Sequence, residues 1–323
     1  MNVHAAASNL AQRFDEQTSA FARDAIEGLS KLPKRLPPKY FYDAEGSALF
    51  EQITGLPEYY PTRTELGILR ARAAEIGPMI PQAAAIVEFG AGSTTKVRTL
   101  LPAAAIGAYV PVDISGDFLN AQARALRQDF PKLAIYPVTA DFTAPFALPE
   151  AVRMMPKVGF FPGSTIGNFE PFEAAGFLRS ARAILGSGAL LLIGVDLEKD
   201  DRVLTAAYND SAGITAQFNL NVLARINREL AGDFDLSGFV HRAIYNRERH
   251  RIEMHLISRK AQTAHLLGHH VVFRAGETIH TESSYKYSVE RFNTLARGSG
   301  WAPRALWTDA EAMFSLHALA AAE

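Results

Sequence analysis

Between residues 85 and 195 the sequence alternates short, mainly apolar runs with segments of helical periodicity. The clearest of these runs are residues 85–89, in which only Glu88 is charged, 107–112 and 189–195. Apolar runs without polar alternation are typical of parallel strands that are covered on both faces, and each intervening helix supplies a crossover connection. The pattern predicts an α/β fold with a Rossmann-like, doubly wound sheet.

The chain after residue 200 departs from this alternation. Residues 202–230 have helical periodicity, whereas 239–259 and 269–287 alternate polar and apolar residues, as half-buried antiparallel strands do. A last apolar run at 313–319 is expected to return to the sheet. We therefore predict an inserted α+β domain, with the sheet domain formed by 62–198 plus 288–323 and a second domain or lid formed by 18–61 plus 199–287.

Composition and charge exclude several classes of protein. The 323 residues carry a formal net charge of −1, which provides no broad cationic surface for a nucleic acid. The chain has no cysteine, and no apolar stretch approaches the roughly 18 residues of a membrane span. The opening residues lack the pattern of a secretory signal. We expect a cytoplasmic monomer that binds neither nucleic acid nor membrane.

A glycine-bearing turn, Gly90-Ala91-Gly92-Ser93, follows the first strand of the predicted sheet. Small residues there let the backbone approach a ligand at the carboxyl edge of the sheet. A G-x-G tripeptide alone is weak evidence, because many are simply tight turns. Thr95 stands where a dinucleotide-binding motif has its third glycine, so NAD fits poorly.

Acidic residues follow the next two predicted strands. Asp113 is placed to accept hydrogen bonds from both hydroxyls of a ribose, and Asp141-Phe142 offer an acceptor and a ring face to an adenine. Singly, Asp141 is more often a turn or cap residue, and Lys96 more often a solvated helix residue. In the functional interpretation the Lys96 cation binds a methionyl carboxylate. Together these residues favour S-adenosylmethionine as the cofactor.

Several longer strings carry a family resemblance. They are Tyr40-Phe41-Tyr42-Asp43, Leu56-Pro57-Glu58-Tyr59-Tyr60-Pro61-Thr62-Arg63, Phe161-Pro162-Gly163-Ser164-Thr165-Ile166-Gly167-Asn168 and Ile279-His280-Thr281-Glu282-Ser283-Ser284-Tyr285-Lys286-Tyr287. From about residue 20 onward the chain resembles the L-histidine Nα-methyltransferases of ergothioneine biosynthesis. The resemblance implies that L-histidine becomes Nα,Nα,Nα-trimethyl-L-histidine (hercynine) through three successive transfers from S-adenosylmethionine, without a metal.

The resemblance also implies roles for individual residues. Tyr59 and Asn168 are the expected catalytic residues, because they orient the amine. The implied cofactor residues are Gly90, Lys96, Asp113, Asp141 and Phe142, and the implied substrate residues are Tyr59, Asn168 and Tyr208 at the backbone end of the amino acid, Glu282 and Ser284 at the imidazole, the flanking Ser283, and Met254 in the side-chain pocket.

The residues by themselves favour less specific interpretations of several of these positions. An asparagine after a strand is usually a turn residue, a lone tyrosine usually packs in a core, and Met254 would ordinarily be core. Glu282 and Ser284 are two residues apart in a strand pattern, so both side chains would reach one ring from the same face. Only the resemblance turns these positions into a histidine site.

Three other functions stay open on the sequence alone. They are an N-methyltransferase for another amino acid such as tryptophan, which Glu282 disfavours, a non-catalytic module that binds S-adenosylmethionine, and an NAD-dependent dehydrogenase, which Thr95 disfavours. His265, His269 and His270 have spacing compatible with a metal site, but no carboxylate pattern accompanies them, and we expect a strand start there.

Overall fold

A computed structural model describes residues 19–322 of the chain. The predicted domain limits at Thr18 and Glu323 lie outside the described residues. The helices are α1 (19–30), α2 (Ala44–Thr54), α3 (Tyr60–Ile76), α4 (Val97–Leu100), α5 (Gly116–Asp129), α6 (Pro171–Leu185), α7 (Asp201–Tyr208), α8 (Ile214–Glu229) and α9 (Val289–Gly298). The strands are β1 (Lys34–Arg35), β2 (Ala84–Phe89), β3 (Ile106–Asp113), β4 (Ala134–Ile135), β5 (Val138–Thr139), β6 (Lys157–Phe161), β7 (Leu190–Asp196), β8 (Phe239–Asn246), β9 (Arg251–Ser258), β10 (Gln262–Leu266), β11 (His269–Phe273), β12 (Thr278–Tyr285), β13 (Trp301–Thr308) and β14 (Phe314–Ala321).

The chain divides into two compact units, each built from discontinuous segments. The first unit contains the described part of Met1–Gly55 together with Thr205–Tyr245 and Ile252–Glu282. The second contains Leu56–Leu204, Asn246–Arg251 and the described part of Ser283–Glu323. The functional division into a cofactor domain and a substrate domain stays a prediction.

The second unit holds an eight-stranded sheet with the order β13-β14-β7-β6-β2-β3-β4, with β5 also paired to β3. Strands β2 to β7 pair in parallel, whereas β14 is antiparallel to both β7 and β13. Every residue of β2 and β7 is buried. The predicted doubly wound α/β sheet is confirmed, and its two C-terminal strands extend it in the antiparallel direction.

Both faces of this sheet are covered by helices. Val87 packs in the cluster that includes Phe177 of α6 and Phe292 of α9, whereas its neighbour Ile86 packs on the opposite face with Leu69 of α3 and Leu126 of α5. Alternate residues of one strand therefore enter different cores, which explains why these strands do not alternate between apolar and polar residues.

The chain chemistry explains where several elements begin and end. Helix α6 starts with Pro171 behind a capping box formed by Glu170 and Glu173, and it ends before Gly186, whose φ is 87°. β4 and β5 are separate short strands, because Pro137 between them has no N–H to donate. Pro303 is tolerated in β13, which is an edge strand with an irregular register there.

The first unit contains a four-stranded sheet with the order β1-β12-β9-β8 and the antiparallel hairpin β10–β11. The segment from 40 to 60 belongs to the part of the chain predicted as the second domain or lid, and it contains the end of a 3-10 turn, Pro38–Phe41, and helix α2. Phe41 and Phe50 pack on Phe218 of α8, and Asp43 caps α2 and accepts a hydrogen bond from Asn221. The N-terminal part of this segment is therefore packed helix.

No helix within residues 19–322 is both long and apolar enough to cross a membrane.

Candidate cofactor and substrate site

The glycine turn lies at the carboxyl edge of the sheet in the second unit. The chain runs from β2 to β3 on one side and later places β6 on the other side of β2, so this edge is the topological switch point where ligands of such folds bind. Gly90 has φ 75°, and its N–H and that of Ala91 donate to the Val112 carbonyl at 2.8 and 3.0 Å. A Cβ on Gly90 would lie 3.3 Å from the Phe142 ring. The positive φ favours glycine there, and a Cβ would in addition require the Phe142 ring to shift by a few tenths of an ångström.

Asp113 ends β3 beside this turn. Its Oδ1 accepts a hydrogen bond from the Ser115 N–H at 2.8 Å, which fixes the carboxylate orientation. Burial raises the pKa of this carboxyl, and the backbone N–H groups of Ser115 and Ile114 oppose that rise. The position offers a fixed acceptor to a hydroxyl-bearing ligand at the sheet edge.

Asp141 and Phe142 follow β5 at the same edge. The Asp141 carboxylate accepts hydrogen bonds from the Thr143 N–H at 2.9 Å and from the Thr143 hydroxyl at 2.5 Å, so it also acts as a turn residue. The half-buried Phe142 ring contacts Phe161 and Phe177 with centroids 5.7 and 5.9 Å apart. Gly90 and Phe142 are thus brought together as the sequence suggested, and Asp141 has a structural role as well.

Lys96 immediately precedes α4 and is held by a carboxylate that the sequence analysis missed. Its Nζ lies 2.6 Å from Oε2 of Glu65, which is completely buried on α3. Glu65 also accepts a hydrogen bond from the Gly163 N–H at 2.9 Å. A signal was present in the sequence, because Glu65 is three and four residues before the buried Ile68 and Leu69 and so lies on the apolar face of the helix.

Glu88 is a second buried carboxyl next to the turn. It is 1% exposed, and the Tyr109 hydroxyl donates to its Oε2 at 2.5 Å. Burial raises its pKa to about 8, although the hydrogen bond from Tyr109 and the Lys96 cation lower it. This side chain is therefore largely protonated at neutral pH in the protein without ligand.

Asn168 ends a 3-10 turn, Thr165–Asn168, that follows β6. Ser164 enters the turn with φ 59°, and the Gly167 N–H donates to the Ser164 carbonyl at 2.8 Å. A Cβ on Gly167 would lie 2.6 Å from the Tyr285 carbonyl oxygen, so the turn packs directly on backbone. Within residues 19–322 the half-buried Asn168 side chain forms no hydrogen bond, so its amide is available to a ligand.

Tyr59 lies at the N-terminus of α3 and is 8% exposed. The next residue, Tyr60, donates its hydroxyl to Asp196 at the end of β7, at 2.8 Å from each carboxylate oxygen. Asp196 is also paired with Lys199 at 2.6 Å and with Lys286 at 2.7 Å. None of these residues except Tyr59 is among those predicted from the sequence.

The remaining predicted substrate residues are distributed over both units. Tyr208, Met254 and Glu282 belong to the first unit, whereas Ser283 and Ser284 belong to the second. Met254 is 1% exposed and alternates along β9 with Glu253 and His255, so it points to the opposite face of the strand. Whether these residues act together on one substrate stays a prediction.

One group of potential metal ligands lies in the described part of the chain, and it contains none of His265, His269 and His270. Ligand atoms of Glu253, His255 and His280 lie within 4.8 Å of one another. His265 and His270 instead face each other across the β10–β11 hairpin, with ring centroids 4.7 Å apart, and His265 is paired with Asp233. The expected absence of a metal stays a prediction.

Comparison with known proteins gives matches over nearly the whole chain. A family model described as "Histidine-specific methyltransferase, SAM-dependent" matches residues 21–321. The histidine N-alpha-methyltransferase of Mycolicibacterium smegmatis is 43% identical over 94% of this chain and 95% of its own length. The protein of the same name from Mycobacterium tuberculosis is 43% identical over 92% of this chain and 94% of its own length. The 4-dimethylallyltryptophan N-methyltransferase of Epichloe festucae var. lolii is 27% identical, over 88% and 90%.

The raised pKa of Glu88 predicts a specific dependence of stability on pH. A carboxyl whose pKa is about 8 when folded and 4.5 when unfolded stabilises the fold fully below pH 4.5, and that contribution is lost as the pH rises toward 8. The loss is about 1.4 kcal/mol per pH unit. Glu88→Gln should therefore gain a few kcal/mol relative to the natural protein between about pH 5 and pH 8, as measured by urea unfolding without ligand. If the difference in unfolding free energy between the two proteins is the same at pH 5 and at pH 8, the raised pKa of Glu88 is contradicted.

Proposed function

The chain belongs to the family of histidine-specific, S-adenosylmethionine-dependent methyltransferases, and we propose that it converts L-histidine to Nα,Nα,Nα-trimethyl-L-histidine by three successive methyl transfers. The observation that carries this proposal is the match of a histidine-specific family over residues 21–321. The geometry of the carboxyl edge supports it with a glycine turn, an oriented aspartate and an aromatic ring, which are the kinds of group that bind a nucleoside.

The residues present fit S-adenosylmethionine. Gly90 leaves the space beside Phe142 that a Cβ would fill, and the Asp113 carboxylate is fixed as an acceptor for ribose hydroxyls. Lys96, held by Glu65, provides a cation for the methionyl carboxylate, and Asp141 and Phe142 are assigned to the adenine. When bound, the cofactor supplies a methyl group on a positively charged sulfur.

The amino acid is assigned to the other group of candidate residues. Tyr59, Asn168 and Tyr208 bind its amine and carboxylate, and Glu282 and Ser284 bind its imidazole. Glu282 is buried, at 7% exposure, and we assign its carboxylate as the acceptor for an imidazole N–H. An acceptor for an N–H favours histidine over apolar amino acids, with Met254 as a wall of the side-chain pocket and Ser283 flanking Glu282 in the chain.

The protein's main contribution to the reaction is alignment. Displacement at a methyl carbon needs a neutral amine with its lone pair in line, and no covalent enzyme intermediate is required. An α-ammonium with a reference pKa of about 8 must lose one proton before each of the three transfers. Tyr59 and Asn168 orient the nitrogen through their hydroxyl and amide groups, and water carries the protons away.

We also propose the cellular setting. The partners are L-histidine and S-adenosylmethionine, with no nucleic acid or membrane, in a cytoplasmic monomer. The product, hercynine, is a precursor in ergothioneine biosynthesis.

One reaction tests the proposal against its alternatives. The purified protein is incubated with S-adenosylmethionine and an equimolar mixture of amino acids, and the products are identified by mass spectrometry. We expect methyl groups on histidine alone, up to three on its α-nitrogen. Methylated tryptophan would support the alternative that the similarity to the dimethylallyltryptophan enzyme raises. Binding of S-adenosylhomocysteine with no turnover of any amino acid would indicate a non-catalytic module.

Lys96→Met tests the assignment of the methionyl carboxylate. We expect S-adenosylhomocysteine to bind at least about tenfold more weakly, because a charge-assisted hydrogen bond is lost. The affinity for 5′-methylthioadenosine, which lacks the amino acid tail, should change less than about twofold. Isothermal titration calorimetry measures both ligands, and Lys132→Met on the exposed surface is the matched control. If the affinities for both ligands fall equally, Lys96 has only a structural role and does not bind the methionyl carboxylate.

Tyr59→Phe tests the orientation of the amine. Removal of one hydroxyl should lower the turnover of histidine by about tenfold or more and should leave a larger share of mono- and dimethylated products, because each intermediate is less well aligned. Tyr136→Phe, a half-buried tyrosine of the sheet unit, is the control. A product distribution that matches the natural protein would refute this role for Tyr59.

A further inference from the structure

Lys286 is a completely buried lysine that lies just after β12, two residues beyond Ser284. Its Nζ is 2.7 Å from Oδ2 of Asp196 and 2.8 Å from the hydroxyl oxygen of Ser284. Both of these partners are also buried, at 1% and 3% exposure. A buried cation is therefore in direct contact with a residue assigned to the substrate imidazole.

The Asp196 carboxylate that pairs with Lys286 is itself charged. Burial would raise its pKa, but the Lys286 and Lys199 cations hold the pKa below its ordinary value. The hydroxyl of Tyr60 adds a hydrogen bond to both carboxylate oxygens. An uncompensated charge would be very costly in this interior, and the ion pair with Asp196 at 2.7 Å compensates the Lys286 cation.

The backbone around Lys286 is held in place on several sides. Its N–H donates to the His250 carbonyl at 2.8 Å, and the Tyr287 N–H donates to the Asp196 carbonyl at 3.1 Å. The Arg291 guanidinium donates to the Lys286 carbonyl. The ammonium is thus fixed relative to Ser284 by main-chain contacts as well as by its ion pair.

This contact determines what the Ser284 hydroxyl does. An ammonium has three N–H donors and no acceptor, so the Ser284 oxygen must accept from Lys286 and its own hydrogen must point elsewhere. A hydroxyl polarised by a cation is also a stronger donor. The Ser284 hydroxyl is therefore expected to act as a donor in any hydrogen bond with a further partner.

We propose that Lys286 is a positioning residue that makes Ser284 a hydrogen-bond donor to one ring nitrogen of the substrate, so that the enzyme binds histidine with a neutral imidazole. This inference rests on the proposed function. Glu282 precedes Ser284 by two residues on β12 and accepts from the N–H of the other ring nitrogen. A neutral imidazole offers one donor and one acceptor, which matches this pair.

Without Lys286 the site would prefer the imidazolium form of the substrate over the neutral imidazole. An imidazolium has two N–H donors and a positive charge, so the Glu282 carboxylate alone would favour it, and an unconstrained serine hydroxyl can accept its second N–H. The Lys286 cation and the direction that it gives to the Ser284 hydroxyl oppose the imidazolium. Lys286 thereby decides the protonation state of the bound ring.

Other ionisable groups surround these residues and require a control. Asp196, Lys199 and Tyr60 face the Lys286 side chain. Glu198 and Arg291 lie beside its backbone, as does His250, whose ring contacts Glu198 at 2.8 Å. Next to Glu282, the His280 ring contacts the Glu282 carbonyl, and His255 stacks on His280 and contacts Glu253. Imidazoles change charge in the same pH range as the substrate ring, so the experiment needs a ligand whose ring does not titrate.

The experiment measures the affinity of histidine for the enzyme saturated with S-adenosylhomocysteine, by calorimetry at about pH 7.5 and pH 5.5, on either side of the reference pKa of about 6.5. The control ligand is 3-(1,2,4-triazol-3-yl)alanine, whose ring has a donor and an acceptor and stays neutral at both pH values. Relative to this control, the natural protein should bind histidine about tenfold more weakly at the lower pH, because only the neutral fraction binds.

Two lysine variants separate the proposal from a structural role. Lys286→Met should reduce the tenfold loss to less than about threefold or reverse it. Lys199→Met removes the other cation of Asp196 without touching Ser284, and it should keep the tenfold loss. If Lys286→Met does not fold, Ser284→Ala replaces it, and it should also abolish the loss because the donor is gone.

Each other outcome counts against the proposal. It is overturned if the natural protein shows no such loss, if Lys286→Met or Ser284→Ala keeps it, or if Lys199→Met abolishes it to the same extent. Failure of the natural protein to bind or methylate histidine at either pH would instead refute the proposed function, and the inference would fall with it.

Discussion

The structure depends on the burial of the central strands on both faces. Strands β2 and β7 have no exposed residue, and alternate side chains of β2 enter two separate cores. A polar side chain along such a strand is desolvated and needs a partner, as Glu88 of β2 has in Tyr109. The candidate cofactor and substrate residues Gly90, Asp113, Asp141 and Asn168 instead lie at or after the carboxyl end of a strand.

Charges that do enter the interior come with partners that fix functional groups. Glu65 is completely buried, but it pairs with Lys96 and accepts the N–H of Gly163, so one carboxylate connects three segments at the cofactor edge. At the end of β7, the Asp196 carboxylate pairs with Lys199 and Lys286 and accepts a hydrogen bond from Tyr60. A buried ion pair is poor evidence for stability because desolvation offsets its attraction. These pairs instead specify position, which a site that aligns an amine with a methyl group requires.

β12 connects the structural and chemical roles most directly. Its first half pairs with β1 in the sheet of the first unit. Tyr287, two residues beyond the strand, donates its N–H to the Asp196 carbonyl at the end of β7 within the second unit. Glu282 and Ser284 lie in this strand, and Lys286 follows it. A short stretch of backbone thus carries an acceptor, a donor and the cation that orients the donor.

The sequence by itself determined the α/β class, the glycine turn and the acidic strand ends, because periodicity and turn chemistry are local properties. It also determined the family, through strings such as Phe161 to Asn168. It did not predict that β4 and β5 are separate, that β10 is a strand, or that part of the expected lid is the packed helix α2. Only the tertiary structure brought Glu65 to Lys96 and Asp196 to Lys286, because these partners are far apart in the chain and no local pattern encodes which charges are buried together. The same holds for Ser284, whose proposed role as a donor depends on its contact with Lys286, which is itself paired with the Asp196 carboxylate of β7.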